Sequence, residues 1–466
     1  MEASKMYIGI ASKDITPQHP MRMMGYGDRE HPSVGVHDSL HAYALYVENV
    51  DNLPFCWVSA DLCVFGFDCA SSIKKELSKK TGIREKAIII QGTHTHSGPD
   101  TFSIHNGESK EEKHYYSLLI DKMSEAINEA KEKKEPVTIK VRQGIGSIGV
   151  NRRGLSKEVD DRLFLFSLMK TDNTPLATVM YYSCHLTSLG VENYFISSDW
   201  IGPVRKWAEK EYNTPFMFIQ GAEGNVDPYT RGVLDMSDPD QAKGISFDVM
   251  NEIALKMIKD LKETYLSRSI STVNTLNMKR VDVTLPLRYG RLTDEQVEQK
   301  IVDWKHSFAQ FLHIEASLVP NNGSINEVIK KHIVKHRIED SVASHYVAQQ
   351  FAYTQFLWAY KDNKEHIDAS NGTMTFPVSI VDLEKIALCA VPVEPLMTLN
   401  LVAKKTIKDK IILFCGLSDG YAGYLPHEEN YKEADSSSLY ETVSSMFACN
   451  AASVLLDKVT KGLILF

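Results

Sequence analysis

The chain has 466 residues, 43% hydrophobic and 24% charged, an ordinary balance for a soluble globular protein with ample length for a large core. A net charge of -8, with no lysine- or arginine-rich block, argues against a nucleic-acid surface. The opening Met1-Glu2-Ala3-Ser4-Lys5-Met6 lacks the apolar run of a signal peptide, and no later stretch is long enough to span a membrane. Seven dispersed cysteines in mostly apolar surroundings point to buried free thiols in a reducing compartment, without a cysteine zinc site. A cytoplasmic protein is expected.

From residue 7 to residue 47 the sequence alternates short strands and turns, with strand patterns at 7–11, 14–17, 23–27 and 42–47. Residues 54–60 read as a strand ending at Asp61. Residues 67–80 are amphipathic, carry lysines near their end and stop at Gly82, the signature of a helix. The apolar run 87–90 is a buried strand leading into Gly92-Thr93-His94-Thr95-His96-Ser97-Gly98-Pro99-Asp100. Strand, helix and strand in that order imply a crossover that sets two neighbouring strands parallel. Asp61 and His94 then lie just beyond carboxyl ends, where ligands bind in open α/β sheets. If the backbone stays extended, His94 and His96 project to the same side. Two imidazoles there can hold a metal or serve a reacting group, although a polar turn with satisfied histidines explains the same letters.

The placement recurs along the chain. A strand at 176–183 is followed by Cys184-His185, and a short strand at 215–219 by Gln220-Gly221-Ala222-Glu223-Gly224-Asn225-Val226-Asp227-Pro228. The apolar run 385–391 leads to Glu394, and 411–414 leads to Gly416-Leu417-Ser418-Asp419-Gly420-Tyr421-Ala422-Gly423-Tyr424. Strand-then-polar-turn, repeated in this way, predicts loops converging on one rim. Between these, 292–317 and 324–364 have helical periodicity, broken at 319–323, and the aromatics of 351–358 read as core packing. With no low-complexity linker, repeat or clear boundary, the expectation is one α/β domain over 1–466. It has a mixed sheet with flanking helices, and a helical insertion at 290–365 is a candidate pocket cap.

Met23-Met24-Gly25-Tyr26, Gly35-Val36-His37, Thr93-His94-Thr95-His96-Ser97-Gly98-Pro99, Asn151-Arg152, His185-Leu186-Thr187-Ser188, Ser198-Asp199 and Tyr421-Ala422-Gly423-Tyr424 occur in the order of a known family. Together they resemble the catalytic domain of the neutral/alkaline non-lysosomal ceramidases, from near residue 7 to near residue 441. Thr-His-Thr-His-Ser-Gly-Pro and Tyr-Ala-Gly-Tyr are the more specific pieces, and the middle helical part matches poorly. The resemblance implies a zinc-dependent hydrolase of lipid metabolism that cleaves an acyl amide of a ceramide-like substrate, or an ester, with metal-activated water. It implies His94, His185, Glu394 and Tyr424 as zinc ligands, His96 facing the substrate, and Arg152 in the active site. Tyr440, in Tyr440-Glu441, matches the family's downstream tyrosine at a spacing longer by a few residues. Asp227 stands where the family has serine. That excludes a serine nucleophile and leaves Asp227 as a base or substrate contact. Secreted ceramidases carry a signal segment and a further β-sandwich domain, so an intracellular relative with a more soluble substrate is the expectation here.

The residue types suit the chemistry. Zinc takes nitrogen and oxygen donors in tetrahedral order, and a catalytic site keeps a position for water. A tyrosine ligand must be deprotonated or strongly polarised, which the cation favours. Arg152, His96 and Tyr440 are suited to stabilising an oxyanion or handing a proton to a leaving amine. Asp61 or Asp199 is expected to hold the second nitrogen of a ligand histidine. Taken singly, each residue has a structural explanation. Glu394 before Pro395 suits a helix start, His185 an interior histidine, Tyr421 and Tyr424 packing in a glycine turn, Arg152 a surface pair with Arg153, and Asp227-Pro228 a turn. His37 and His41 read as structural. The alternative function is a non-catalytic zinc-binding or carrier protein of the same fold. The expected partner is a small acylated molecule.

Overall fold

The apolar runs of the sequence become the strands of two sheets. The computed structural model describes residues 6–26, 29–49, 52–153, 158–229, 247–289, 292–312, 315, 317, 359–368, 370–433 and 439–464. The larger, nine-stranded sheet runs Phe216–Gln220, Pro175–Tyr182, Arg162–Lys170, Glu135–Ile145, Met6–Asp14, His41–Asn49, Asn52–Ala60 and Ile88–Gly92, with Ser271–Val273 pairing Glu135–Ile145. The five-stranded sheet runs Asn277–Pro286, Thr373–Leu383, Ile386–Ala390 and Ile411–Cys415, with Ile367–Asp368 on Thr373–Leu383.

Within these two sheets most neighbours are antiparallel, but three pairs are parallel. These are Asn52–Ala60 with Ile88–Gly92, Phe216–Gln220 with Pro175–Tyr182, and Ile386–Ala390 with Ile411–Cys415. Their sequences show why. Ile88–Gly92, Phe216–Gln220 and Ile386–Ala390 are buried at every position, as strands covered on both faces require. The first pair is joined by the predicted crossover helix, Phe67–Thr81, which ends on Gly82 in the left-handed conformation (φ 73°).

Strand alternation sorts the core. Phe164, Phe166 and Leu168 join a core that also holds Val179, Tyr181 and Ile219 of the large sheet and Leu388 and Leu413 of the small one. Leu163 and Leu165 turn the other way, into a cluster with Val204 and Ala208 of Ile201–Tyr212 and Ile253, Met257 and Leu261 of Phe247–Leu266. The Tyr181 hydroxyl donates to the Phe414 carbonyl (2.9 Å), linking the two sheets. On the small sheet, Leu455 and Val459 of helix Ala451–Ile464 cluster with Val283, Phe376 and Val378. The fold is therefore α/β, with mixed sheets and flanking helices, as the sequence predicts.

Two local expectations are corrected. Residues 15–17 are not strand, because the Asp14 carboxylate accepts the Thr16 N–H (2.8 Å) and turns the chain. Of residues 23–26, Met23 alone forms an isolated bridge, with Pro99, and Gly27 lies outside the described residues. In the middle region, Asp294–Leu312 is helical. Most of the second predicted helix, and the aromatics of 351–358, lie outside the described residues. Among the described residues no helix is long and apolar enough to cross a membrane.

Candidate metal centre

Each parallel pair presents two neighbouring carboxyl ends, and the three pairs present theirs to one another. The loops are tied across: Gly416 N–H donates to Gly221 O (3.1 Å), Gly92 N–H to Leu417 O (3.3 Å), and the Gln220 side-chain amide to Thr93 O (3.0 Å). Cys63, His94, His185, Glu223, Glu394 and Tyr424 follow these six strands. The predicted convergence on one rim is what the fold builds.

His94 does not keep the extended backbone expected of it. Its φ is 74°, so the chain bends at the first histidine. The two rings still meet edge to face, with His94 Nε2 and His96 Nε2 3.3 Å apart. Gly25, at φ 103°, lets the backbone pass so close to the His96 ring that a Cβ would sit 2.3 Å from it. Tyr26 packs edge-on against the same ring, at 4.9 Å between centroids.

One oxygen of Glu394 gathers the imidazoles: Glu394 Oε2 lies 3.6 Å from His94 Nε2 and 3.3 Å from His185 Nε2. All three residues are buried, and their ligand-type atoms lie within 4.8 Å of one another. Among the described residues, His185 Nε2 and Glu394 Oε2 have no hydrogen-bond partner. Burial of orphaned acceptors is costly unless a cation completes them. Burial would push Glu394 up, but His94 and His185 hold it well below the usual carboxylate range. Burial keeps His185 low, hence neutral and able to ligate. Burial opposes charge on His94 too, yet Cys63 and Glu394 hold its affinity for a proton well above the ordinary imidazole value.

The far nitrogens are fixed by backbone carbonyls, which corrects the expectation for Asp61 and Asp199. His94 Nδ1 faces Cys63 O (3.2 Å), with Cys63 Sγ 3.5 Å away. His185 Nδ1 faces Glu223 O (3.0 Å) and Val226 O (3.1 Å), with Asp227 Oδ1 at 3.4 Å. Asp61 instead takes both guanidinium nitrogens of Arg205 (2.7 and 2.8 Å), and Asp199 accepts from Ser188, Leu189 and Trp200. Each is a buried carboxylate that spends its lone pairs on the scaffold.

On the other side of Glu394, Tyr421 donates its hydroxyl to Oε1 (2.6 Å). Arg152 gives Nη2 to the Tyr424 hydroxyl (3.2 Å) and to Gly224 O (2.7 Å), Nε to Glu441 (2.7 Å), and approaches Asp227 with Nη1 (3.4 Å). Its guanidinium lies over the Tyr424 and Tyr440 rings at 5.5 and 5.8 Å. Tyr440 meets Tyr424 at 5.4 Å between centroids. Burial and Glu394 together push the Tyr424 hydroxyl well above the ordinary phenol range, against Arg152.

The structure thus brings together His94, His96, Arg152, His185, Asp227, Glu394, Tyr424 and Tyr440. It leaves His37 outside, stacked on Phe247, and holds the His41 N–H on Asp61. The sequence assigns no site role to Tyr421, which reads as packing, or to Glu441, Cys63 or Glu223. Tyr421 and Glu441 stood in motifs already quoted for their neighbours. Glu223 had one signal, a carboxylate amid Gly and Ala directly after an all-apolar strand.

These features define an α/β protein whose two stacked sheets converge on a buried His-His-Glu group suited to a divalent cation. The sequence profile of the neutral/alkaline non-lysosomal ceramidases, N-terminal part, matches residues 6–317, and the chain belongs to that family. Neutral ceramidase B of Dictyostelium discoideum is 23% identical over 514 residues, covering 95% of this chain and 70% of that protein. For the Oryza sativa subsp. japonica neutral ceramidase the values are 25% identity, 49% of this chain and 32% of that one. The crystal structure of neutral ceramidase from Pseudomonas aeruginosa superposes with a TM-score of 0.69 at 17% identity, covering 98% of this chain and 74% of that chain. A ceramidase complexed with C2 gives 0.68 at 15%, covering 99% and 76%. At such identities the likeness establishes the fold.

Proposed function

We propose that the chain is a zinc-dependent hydrolase that cleaves an acyl amide of the ceramide type. The observation that carries this reading is the buried His94–His185–Glu394 group, in which His185 Nε2 and Glu394 Oε2 have no hydrogen-bond partner among the described residues. The names of the relatives supply the substrate class. His94, His185 and Glu394 would hold the ion, and Tyr424 stands beside them. When bound, zinc polarises a carbonyl and brings water's pKa near neutrality.

The residues have distinct parts. Tyr421 fixes the Glu394 carboxylate, and Asp227, buried between His185 and Arg152, orients both. The Arg152 guanidinium, already desolvated, favours negative charge developing near the Tyr424 hydroxyl. His96 is only partly buried, so its ring can hand a proton to a leaving amine.

Metal content of the purified protein beside His185→Ala tests the reading. About one zinc per chain is expected, lost in the variant together with hydrolysis of an N-acyl sphingoid amide. A wild-type protein that neither contains nor regains metal overturns it.

A further inference from the structure

Glu223 is fully buried, and neither carboxylate oxygen has a hydrogen-bond partner among the described residues. Its backbone is already committed to the site. Glu223 O receives His185 Nδ1 (3.0 Å), and the next residue, Gly224, donates its N–H to Pro395 O (3.1 Å), beside Glu394. The loop therefore touches the supports of two candidate ligands. Gly416 makes room for the carboxylate: a Cβ there would lie 2.8 Å from Oε2 and 3.0 Å from Oε1.

The local charges leave Glu223 conspicuous. Arg152 is taken up by Asp227 and Glu441, and Arg153 by Glu441 and Glu433. Glu394 and Glu223 remain, two buried carboxylates with no arginine salt bridge among the described residues, and Glu223 is close enough to feel the charges of His94 and Glu394. Burial, with Glu394 and against His94, pushes the Glu223 carboxyl well above the usual carboxylate range, and only with a cation present would two ionised carboxylates match its double charge. An uncompensated buried carboxylate is expensive, and a cation next door is the compensation that this surrounding offers.

We propose that Glu223 belongs to the cation site, as a second carboxylate that balances the ion's charge and sets its affinity. It is a positioning residue: it acts on the ion through charge and through the His185 ring that its backbone holds. The inference rests on the metal-centre reading above and adds to it a residue that the ligand motifs do not contain.

Zinc affinity of the metal-free protein, measured by competition with a chromophoric chelator, tests it without reference to turnover. Glu223→Gln keeps the shape and removes the charge, so its affinity is expected to fall at least about tenfold. Glu223→Asp keeps the charge and is expected to stay within about threefold of wild type. Should the Gln variant not fold, Glu223→Ala carries the same comparison. An unchanged Gln variant, or an Asp variant that falls as far as Gln, overturns the proposal, the second because it indicates packing alone. A wild-type chain with no affinity for zinc overturns both this inference and the reading beneath it, whereas tight wild-type binding with an unchanged Gln variant overturns this inference only.

Discussion

The two sides of the centre are built by different means. On the imidazole side, contributed by the large sheet, His94 and His185 are aimed mainly by backbone carbonyls of Cys63, Glu223 and Val226, with the Asp227 carboxylate the one side chain shared with the other side. On the side of the small sheet, Tyr421 holds Glu394, Arg152 holds Tyr424, and Glu441 and Asp227 hold Arg152, with one carbonyl, Gly224 O, also accepting from that guanidinium. A carbonyl is positioned by the strand it ends and survives most substitutions. A side-chain brace is lost with a single substitution. The imidazole side should therefore be robust and the carboxylate–phenol side brittle.

The hardest strain falls where the tyrosine loop is locked to the His94 strand. Asp419 N–H donates to Ile90 O (2.8 Å), Asp419 Oδ1 accepts the Ile90 N–H (3.0 Å), and its other oxygen pairs with Lys74 Nζ (2.8 Å). Lys74 is buried, and that burial lowers its affinity for a proton. Asp419→Asn tolerates the left-handed backbone (φ 62°) but leaves a buried ammonium without its partner. The expected loss is about 3–5 kcal/mol of unfolding free energy. Denaturant melts of the metal-free protein measure it, and a loss below about 1 kcal/mol would mean that the ammonium finds water.

Next comes the brace shared by the two arginines. Glu441 bonds Arg152 with Oε1 and Arg153 with Oε2, each at 2.7 Å. Burial would raise it, but the arginines hold it below the usual carboxylate range. Glu441→Gln should cost about 3 kcal/mol at neutral pH, the low end for a broken buried pair, because Asp227 and Glu433 keep hold of the arginines. A depressed pKa stabilises above the unfolded carboxylate value and loses that stabilisation as pH falls through the folded one. The gap between wild type and variant should therefore close in acid. A gap that is constant from neutral pH into the acid range would show that packing, not charge, was removed.

The same contrast explains what the sequence could and could not reveal. Strand ends are local: an apolar run followed by Gly-Thr-His or Cys-His announces a histidine at a rim, and both histidines are where those runs place them. The crossover helix 67–80 was equally legible, down to its Gly82 stop. The supporting contacts were not, because they join residues far apart in the chain. Arg152 and Glu441 are 289 positions apart, and Ile90 and Asp419 are 329 apart. Asp61 and Asp199 sit at the strand and loop ends where a histidine brace would be sought. Arg205 and the Ser188–Leu189 backbone claim them instead, and no local pattern encodes that choice. The bend at His94 was hidden for the opposite reason, since alternation rules presume the extended backbone that this residue leaves.

The gentlest strain removes one oxygen. Tyr421→Phe deletes the hydroxyl that holds Glu394 Oε1 and nothing else on the imidazole side. The ring stays packed beside Phe102, so unfolding should change by no more than about 1 kcal/mol. Zinc affinity should fall about tenfold, the low end for loss of a group that orients a ligand, because Glu394 Oε2 keeps both imidazoles in place. Chelator competition and thermal melts on the same preparation separate the two effects. If affinity held while stability fell, Tyr421 would be a packing residue, and the carboxylate side would be less dependent on side-chain braces than its geometry implies.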